Sequence, residues 1–293
     1  MNVGFIGLGI MGGPMATQLV KNGFNVFVYD LLPDHVKELE AIGATGCKSY
    51  KEMAENCSVV ITMLPNWPHV EAALLGEDGI AAHIAKGSLI IDCSSVAPDA
   101  SRRICGKLNE MGLRMLDAPV SGGHGGAVAG TLSIMVGGSE EDYLEAKPLF
   151  DAMGNGGLLI GDIGAGNVCK LANQIMVAAN LAGGAEALTL AKRAGVDVNV
   201  VWDAIKDGFA GNNSMNARAV KMLTGDFTAS FAVDIHWKDL NNVLDTGFAC
   251  GAPTPITLQV QNMFNYLRAG GDGKCDHSAL YKYYSEFSKS DAE

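Results

Sequence analysis

The sequence predicts an α/β domain, a parallel sheet doubly wound with helices, followed by an all-α second domain. Three observations carry this. Short apolar runs alternate with amphipathic stretches through the first half, a glycine-rich turn follows the first run, and after Gly161 long segments of helical periodicity take over.

The apolar runs are NVGFIG at residues 2–7, NVFVYD at 25–30, SVVITML at 58–64, SLIIDCS at 88–94 and LSIMVGG at 132–138. Each is strand-length and close to continuously apolar, as a parallel strand covered on both faces requires. Amphipathic spacing predicts helices over 34–42 and 97–111 between them. In the second half it predicts helices over 165–194, 199–207, 214–223, 234–250, 257–269 and 276–287. The expected division is therefore 1–162 for the sheet domain and 163–293 for the helical one. The first long segment, with about 30 residues rising roughly 1.5 Å each, is expected to be a spine helix joining the two. Its near absence of charge between Lys170 and Glu186 predicts burial on most sides. Asn173, Gln174 and Asn180 interrupt the apolar run and argue against a membrane span.

With 48% hydrophobic residues the 293-residue chain has ample material for packed cores. Its 32 acidic residues outnumber 21 basic ones, a net charge of -11 that disfavours nucleic-acid and anionic-membrane partners. Seven cysteines without a C-x-x-C pair and six dispersed histidines give no metal-site spacing. They read as thiols of a reducing compartment. The N-terminus is apolar but lacks a basic leader, so the expected location is cytoplasmic.

The strongest chemical signal is GFIGLGIMGGPMA. Gly7, Gly9 and Gly12 form G-x-G-x-x-G, with Leu8, Ile10 and Met11 between them, after a strand and before a helix. Bare backbone N–H groups at that helix start suit a pyrophosphate, which makes the first domain a Rossmann-type dinucleotide site. Asp30 closes the second strand, where an acid can bond the ribose hydroxyls of NAD and repel the 2′-phosphate of NADP. Leu31 and Leu32 follow it, so NAD is favoured and NADP is the lesser expectation. The loops after the third and fourth runs bring Met63, Leu64, Pro65 and Ser95 to the strand ends where cofactor contacts fall. Ser121, Gly122 and Gly123 could form an anion-binding nest. His124 beside them reads as a residue of a flexible loop rather than a catalyst.

Lys170 is the anomaly, a lysine among Val168, Cys169, Leu171 and Ala172. On a helix Gly166, Asn173 and Gln174 share its face. Apolar surroundings disfavour an ammonium, which suits a lysine to proton transfer near neutral pH. Cys169 reads as a buried structural thiol, and Lys238 with Asp239 as a surface ion pair.

Together GFIGLGIMGGPMA, DAPVSGGHGGAVAGTL, GAGNVCKLANQ and the later KDL resemble the β-hydroxyacid dehydrogenase family over essentially the whole chain. That resemblance implies Lys170 as catalytic lysine and Leu64, Pro65 and Ser95 as NAD contacts. Ser121, Gly122, Gly123, Asn173 and Lys238 would hold substrate or close over cofactor, in a homodimer or homotetramer. ITMLPNWPHVE, DIHWKDLNNVLDTG and the closing DHSAL are most similar to the branch that reduces tartronate semialdehyde to glycerate. SGGHGGAVAG is closer to the branch acting on 3-hydroxyisobutyrate, and Gly211, Asn212 and Asn213 supply no cation for a second carboxylate. The expected reaction is reduction of a small 3-oxo carboxylate to a 3-hydroxy acid. A dinucleotide sensor without catalysis is the alternative of another class.

Overall fold

The structure, a computed structural model, describes residues 1–286. The chain divides into two compact units, Met1–Lys170 and the residues from Leu171 onward.

The first unit runs β1 (Asn2–Ile6), α1 (Gly12–Lys21), β2 (Asn25–Tyr29), α2 (Pro33–Glu40), β3 (Thr45–Gly46), α3 (Tyr50–Asn56), β4 (Val59–Thr62) and α4 (Trp67–Leu75). It continues with β5 (Leu89–Asp92), α5 (Pro98–Glu110), β6 (Arg114–Asp117), β7 (Val120–Ser121), α6 (Gly123–Ala129), β8 (Ser133–Gly137), α7 (Glu140–Met153) and β9 (Leu158–Gly161). Strand order is β3-β2-β1-β4-β5-β6-β8-β7, with β9 beside β8. The neighbours from β3 to β6 are all parallel. The order reverses between β1 and β4, the switch point where open α/β sheets bind ligands beyond their strand ends.

Alternation within the strands builds two cores. Val3, Phe5, Val59, Ile61, Leu89 and Ile91 face Met15, Leu19, Leu149 and Phe150 of α1 and α7. Ile6, Val60 and Ile90 face Met53, Val70, Leu74, Ile104 and Leu108 of α3, α4 and α5.

Two features differ from a purely parallel sheet. Strand β8, predicted from LSIMVGG, runs antiparallel to β6, with Asp117 opposite Gly137. The 15-residue connection, 118–132, carries the two-residue β7, itself antiparallel to β8, and the seven-residue α6. His124 accordingly sits on α6, not in a flexible loop. The two-residue strands β3 and β7 are too short for any periodicity to announce them, and β9 is half-exposed along its length.

Helix α8 (Ala165–Arg193) has 29 residues and crosses the division between the units. The second unit continues with α9 (Val198–Ile205), α10 (Asn213–Thr224), α11 (Val233–Cys250), α12 (Pro255–Ala269) and α13 (Leu280–Glu286). Leu181, Leu188, Met222, Leu240, Val243, Phe264 and Leu280 pack as its core. The local stops are clear: Asn212 accepts from Met215 N–H at 2.9 Å to start α10, and Pro255 opens α12. The segment predicted over 276–287 resolves into a short turn, His277–Ala279, and then α13; Phe287 lies outside the described residues. Between Lys170 and Glu186 only Ala172, Met176 and Gly183 are exposed, so α8 is covered on most sides there and leaves one open stripe, on which Met176 is 61% and, further on, Leu190 71% exposed. Among the described residues no helix is long and apolar enough to cross a membrane.

Candidate active site

The glycine loop between β1 and α1 is shaped by what a side chain would strike. Gly7 has φ +92°, and a Cβ there would overlap the Met63 carbonyl oxygen. At Gly12 it would overlap the Gly7 carbonyl oxygen, so α1 can pack onto β1 only without one. Gly9 differs, since a Cβ there would meet nothing within 4 Å. It faces open space at the start of a helix that has no side-chain cap, with Leu8, Ile10 and Met11 completing the turn. That is a cradle a pyrophosphate would fill.

Asp30 ties this loop to the next one. Leu8 N–H donates to its Oδ2 at 2.6 Å and Leu32 N–H to its Oδ1 at 2.8 Å. The carboxylate is thereby fixed at the end of β2, while Leu31 and Leu32 are exposed and uncharged. The residues present fit a dinucleotide with an unphosphorylated ribose.

The loops after β4 and β5 are organised by an acid absent from the sequence-based expectations. Asp92 Oδ1 accepts from Thr62 hydroxyl at 2.8 Å and Ser94 N–H at 3.0 Å, and Ser94 Oγ accepts from Leu64 N–H at 2.9 Å. Met63, Leu64 and Pro65 are thus held to the segment that carries Ser95. An aspartate closing an apolar strand must be bonded when buried, which was the available signal in LIIDCS.

Burial pushes the Asp92 carboxyl up to about 6, against the hydrogen bonds from Ser94 and Thr62. A carboxyl that binds its proton more tightly in the fold than in the unfolded chain costs stability once it ionises. The cost is absent below about pH 4, grows between pH 4 and 6 and is full above. Asp92→Asn mimics the protonated form, and its oxygen can keep both donors. It is expected to stabilise the fold at pH 8 by up to roughly 3 kcal/mol, at 1.36 kcal/mol per pH unit, and by nothing at pH 4. Urea unfolding at the two pH values checks this.

Ser121 ends β7, and Gly122 (φ +136°) and Gly123 (φ +61°) turn the chain into α6. Gln18 of α1 donates to the Val128 carbonyl, fastening α6 to α1. A groove of about 470 Å³ along α1 is lined by Gly9, Ile10, Thr17, His35, His124 and Val128. It adjoins the glycine loop but does not reach Met63, Leu64, Pro65 or Ser95.

Lys170 lies in the second turn of α8 and is only 7% exposed. Asn173 follows one turn later on the same helix. In the second unit, Asn173 Nδ2 donates to Gln174 Oε1 at 2.9 Å, and Gln174 Nε2 donates to Asp239 Oδ2 at 2.6 Å. Lys238 Nζ pairs with Asp239 Oδ1 at 2.8 Å. Lys238 and Asp239 are therefore not the surface pair expected from sequence, since Asp239 is buried and Gln174 links the pair to Asn173. Cys169, beside Lys170, is half-buried, and all seven cysteines are unbridged.

A glycine cradle at a helix start, an acid closing β2 and the 3-2-1-4-5-6 strand order define a dinucleotide-binding domain. Comparison with known proteins gives the family. Residues 2–169 match the NAD binding domain of 6-phosphogluconate dehydrogenase, and residues 164–284 the NAD-binding region of NADP-dependent 3-hydroxyisobutyrate dehydrogenase. The chain is 41% identical to 2-hydroxy-3-oxopropionate reductase of Escherichia coli, over 96% of each chain. It is 39% identical to 3-hydroxyisobutyrate dehydrogenase of Pseudomonas aeruginosa, over 97% of this chain and 98% of that one. A solved 3-hydroxyisobutyrate dehydrogenase from Salmonella typhimurium superposes with a TM-score of 0.89 at 33% identity, covering 96% of this chain and 99% of the other. The chain belongs to the β-hydroxyacid dehydrogenase family and is an NAD(P)-dependent oxidoreductase acting on a CH–OH group.

Proposed function

We propose that the protein reduces a small 3-oxo carboxylate to the 3-hydroxy acid, tartronate semialdehyde to glycerate first, with Lys170 as proton donor. The observation that carries this is a lysine buried to 7% exposure one helical turn from an amide, Asn173, in a chain 41% identical to 2-hydroxy-3-oxopropionate reductase. Bound NADH supplies a hydride. With that hydride on the aldehyde carbon, the Lys170 ammonium would give the carbonyl oxygen its proton and be left a neutral amine. In the oxidative direction the amine takes the proton back. Ser121 with the N–H groups of Gly122 and Gly123 holds the substrate carboxylate, and Asn173 and Lys238 hold the rest of the substrate. Gly7 to Gly12, Asp30, Met63, Leu64, Pro65 and Ser95 take the cofactor, and Lys238 closes over it. Asp30 supports NAD over NADP.

The 39% identity to a 3-hydroxyisobutyrate dehydrogenase supports the second reading, in which the substrate carries a methyl group where tartronate semialdehyde carries a hydroxyl. Purified protein is to be assayed for NADH and NADPH oxidation with tartronate semialdehyde and methylmalonate semialdehyde at matched concentrations. A kcat/KM at least about tenfold higher for the first is expected if a polar group meets the C2 hydroxyl. The reverse preference would replace the first substrate with the second. The exposed apolar face of α8 around Met176 and Leu190 supports a homodimer or homotetramer, and the unbridged thiols support a cytoplasmic protein.

A further inference from the structure

The aspartate of DAPVSGG is committed to the chain's own backbone. Asp117 closes β6 and is fully buried, and both its carboxylate oxygens are taken by the start of α8. Gly164 N–H donates to Oδ1 at 2.6 Å and Asn167 N–H to Oδ2 at 2.7 Å. These are the residue before the helix and its third residue, the two orphan donors that a capping box satisfies locally. Here one carboxylate satisfies both from about 50 residues upstream.

Asn167 extends the clamp in the other direction. Its Oδ1 accepts from Val96 N–H at 3.1 Å and its Nδ2 donates to Ser101 Oγ at 3.1 Å. Val96 follows Ser95 in the β5 loop, so one fully buried side chain ties the first turn of α8 to a cofactor loop. Two glycines permit the approach. A Cβ on Gly166 would overlap the Met135 carbonyl, and one on Gly137 would overlap Asp117 Oδ1. Gly166 is one turn before Lys170 on the same face.

We propose that Asp117 and Asn167 are positioning residues for Lys170: they hold the first turn of α8 against β6 and the Ser95 loop, and so fix where the ammonium meets the reacting oxygen. The inference rests on the reading of Lys170 as proton donor. Neither residue touches the reactants. Loosening the clamp by a fraction of an ångström to an ångström lowers the rate of proton transfer, while the glycine cradle and the Ser121–Gly123 turn bind as before.

The test is steady-state kinetics and NADH titration of Asp117→Asn and Asn167→Ala beside Lys170→Ala. Asp117→Asn keeps the shape but turns an amide N–H toward a backbone N–H, and Asn167→Ala frees Val96 N–H. For each, kcat is expected to fall about 10- to 100-fold, with KM and the NADH Kd within about threefold of wild type. A wild-type kcat in either variant overturns the proposal, as does a loss confined to KM or to NADH binding. Should neither variant fold, Ser101→Ala, which removes only the hydroxyl behind Asn167, decides. A few-fold fall in kcat at constant KM supports the clamp, and an unchanged kcat overturns it. The two readings fail separately. An active Lys170→Ala removes the proton donor itself, whereas an inactive Lys170→Ala beside a fully active Asp117→Asn removes only the clamp.

Discussion

Lys170→Ala is expected to lose about 10²- to 10⁴-fold in kcat, the range for removing a positioned proton donor, while NADH binds as in wild type. The residue sits on α8, a helix whose start is fastened to the sheet and whose later turns pack in the second unit, so truncation changes no backbone hydrogen bond. Burial of a lysine stem means some packing is lost as well, which would appear as a modest fall in melting temperature. Lys170→Met separates the effects, because it keeps the stem and removes the ammonium. Both variants should be inactive and only the alanine one measurably less stable. An active methionine variant would end the assignment.

The second large effect contrasts two glycines three residues apart. Gly9→Ala adds a methyl group into open space, so the fold should keep its stability, yet NADH affinity should fall by orders of magnitude if that space is the pyrophosphate cradle we propose. Gly12→Ala instead drives a methyl group into the Gly7 carbonyl oxygen and to 3.2 Å from the Phe5 ring. There α1 must move off β1, and the loss should appear first as instability, of the few kcal/mol typical of an overpacked core. Thermal unfolding and NADH fluorescence titration of the pair distinguish the outcomes. Tight NADH binding by Gly9→Ala would remove the cradle from its role.

What could be read from sequence was what is local in sequence. G-x-G-x-x-G, the acid at the end of VFVYD and a lysine in an uncharged helical stretch each show within a dozen or so residues, and the helices from 165 to 269 show by periodicity. What escaped depends on partners far away along the chain. Asp92 answers Thr62 across 30 residues, Asp117 answers Gly164 across 47, and Asp239 answers Gln174 across 65. A strand-ending aspartate carries no mark of which backbone donors it will meet, and Lys238 with Asp239 looks like any exposed ion pair until Gln174 is seen to reach it. The antiparallel pairing of β8 escaped for a related reason, since an apolar run carries no mark of the direction in which it will pair.

The grip of Asp30 on both Leu8 N–H and Leu32 N–H bears on redesign. An acid at that position is the obvious residue to remove if a phosphorylated cofactor is wanted. In this chain it also joins two loops, and deleting it would leave two backbone donors seeking water. Relaxed cofactor choice and a looser dinucleotide cradle would arrive together, so an efficient NADP enzyme built on this scaffold needs a replacement that both accepts from those N–H groups and tolerates a phosphate. A serine or asparagine offers one acceptor oxygen in place of two, so with a cation introduced at Leu31 it keeps at most one of the two bonds; removal of the acid alone keeps neither.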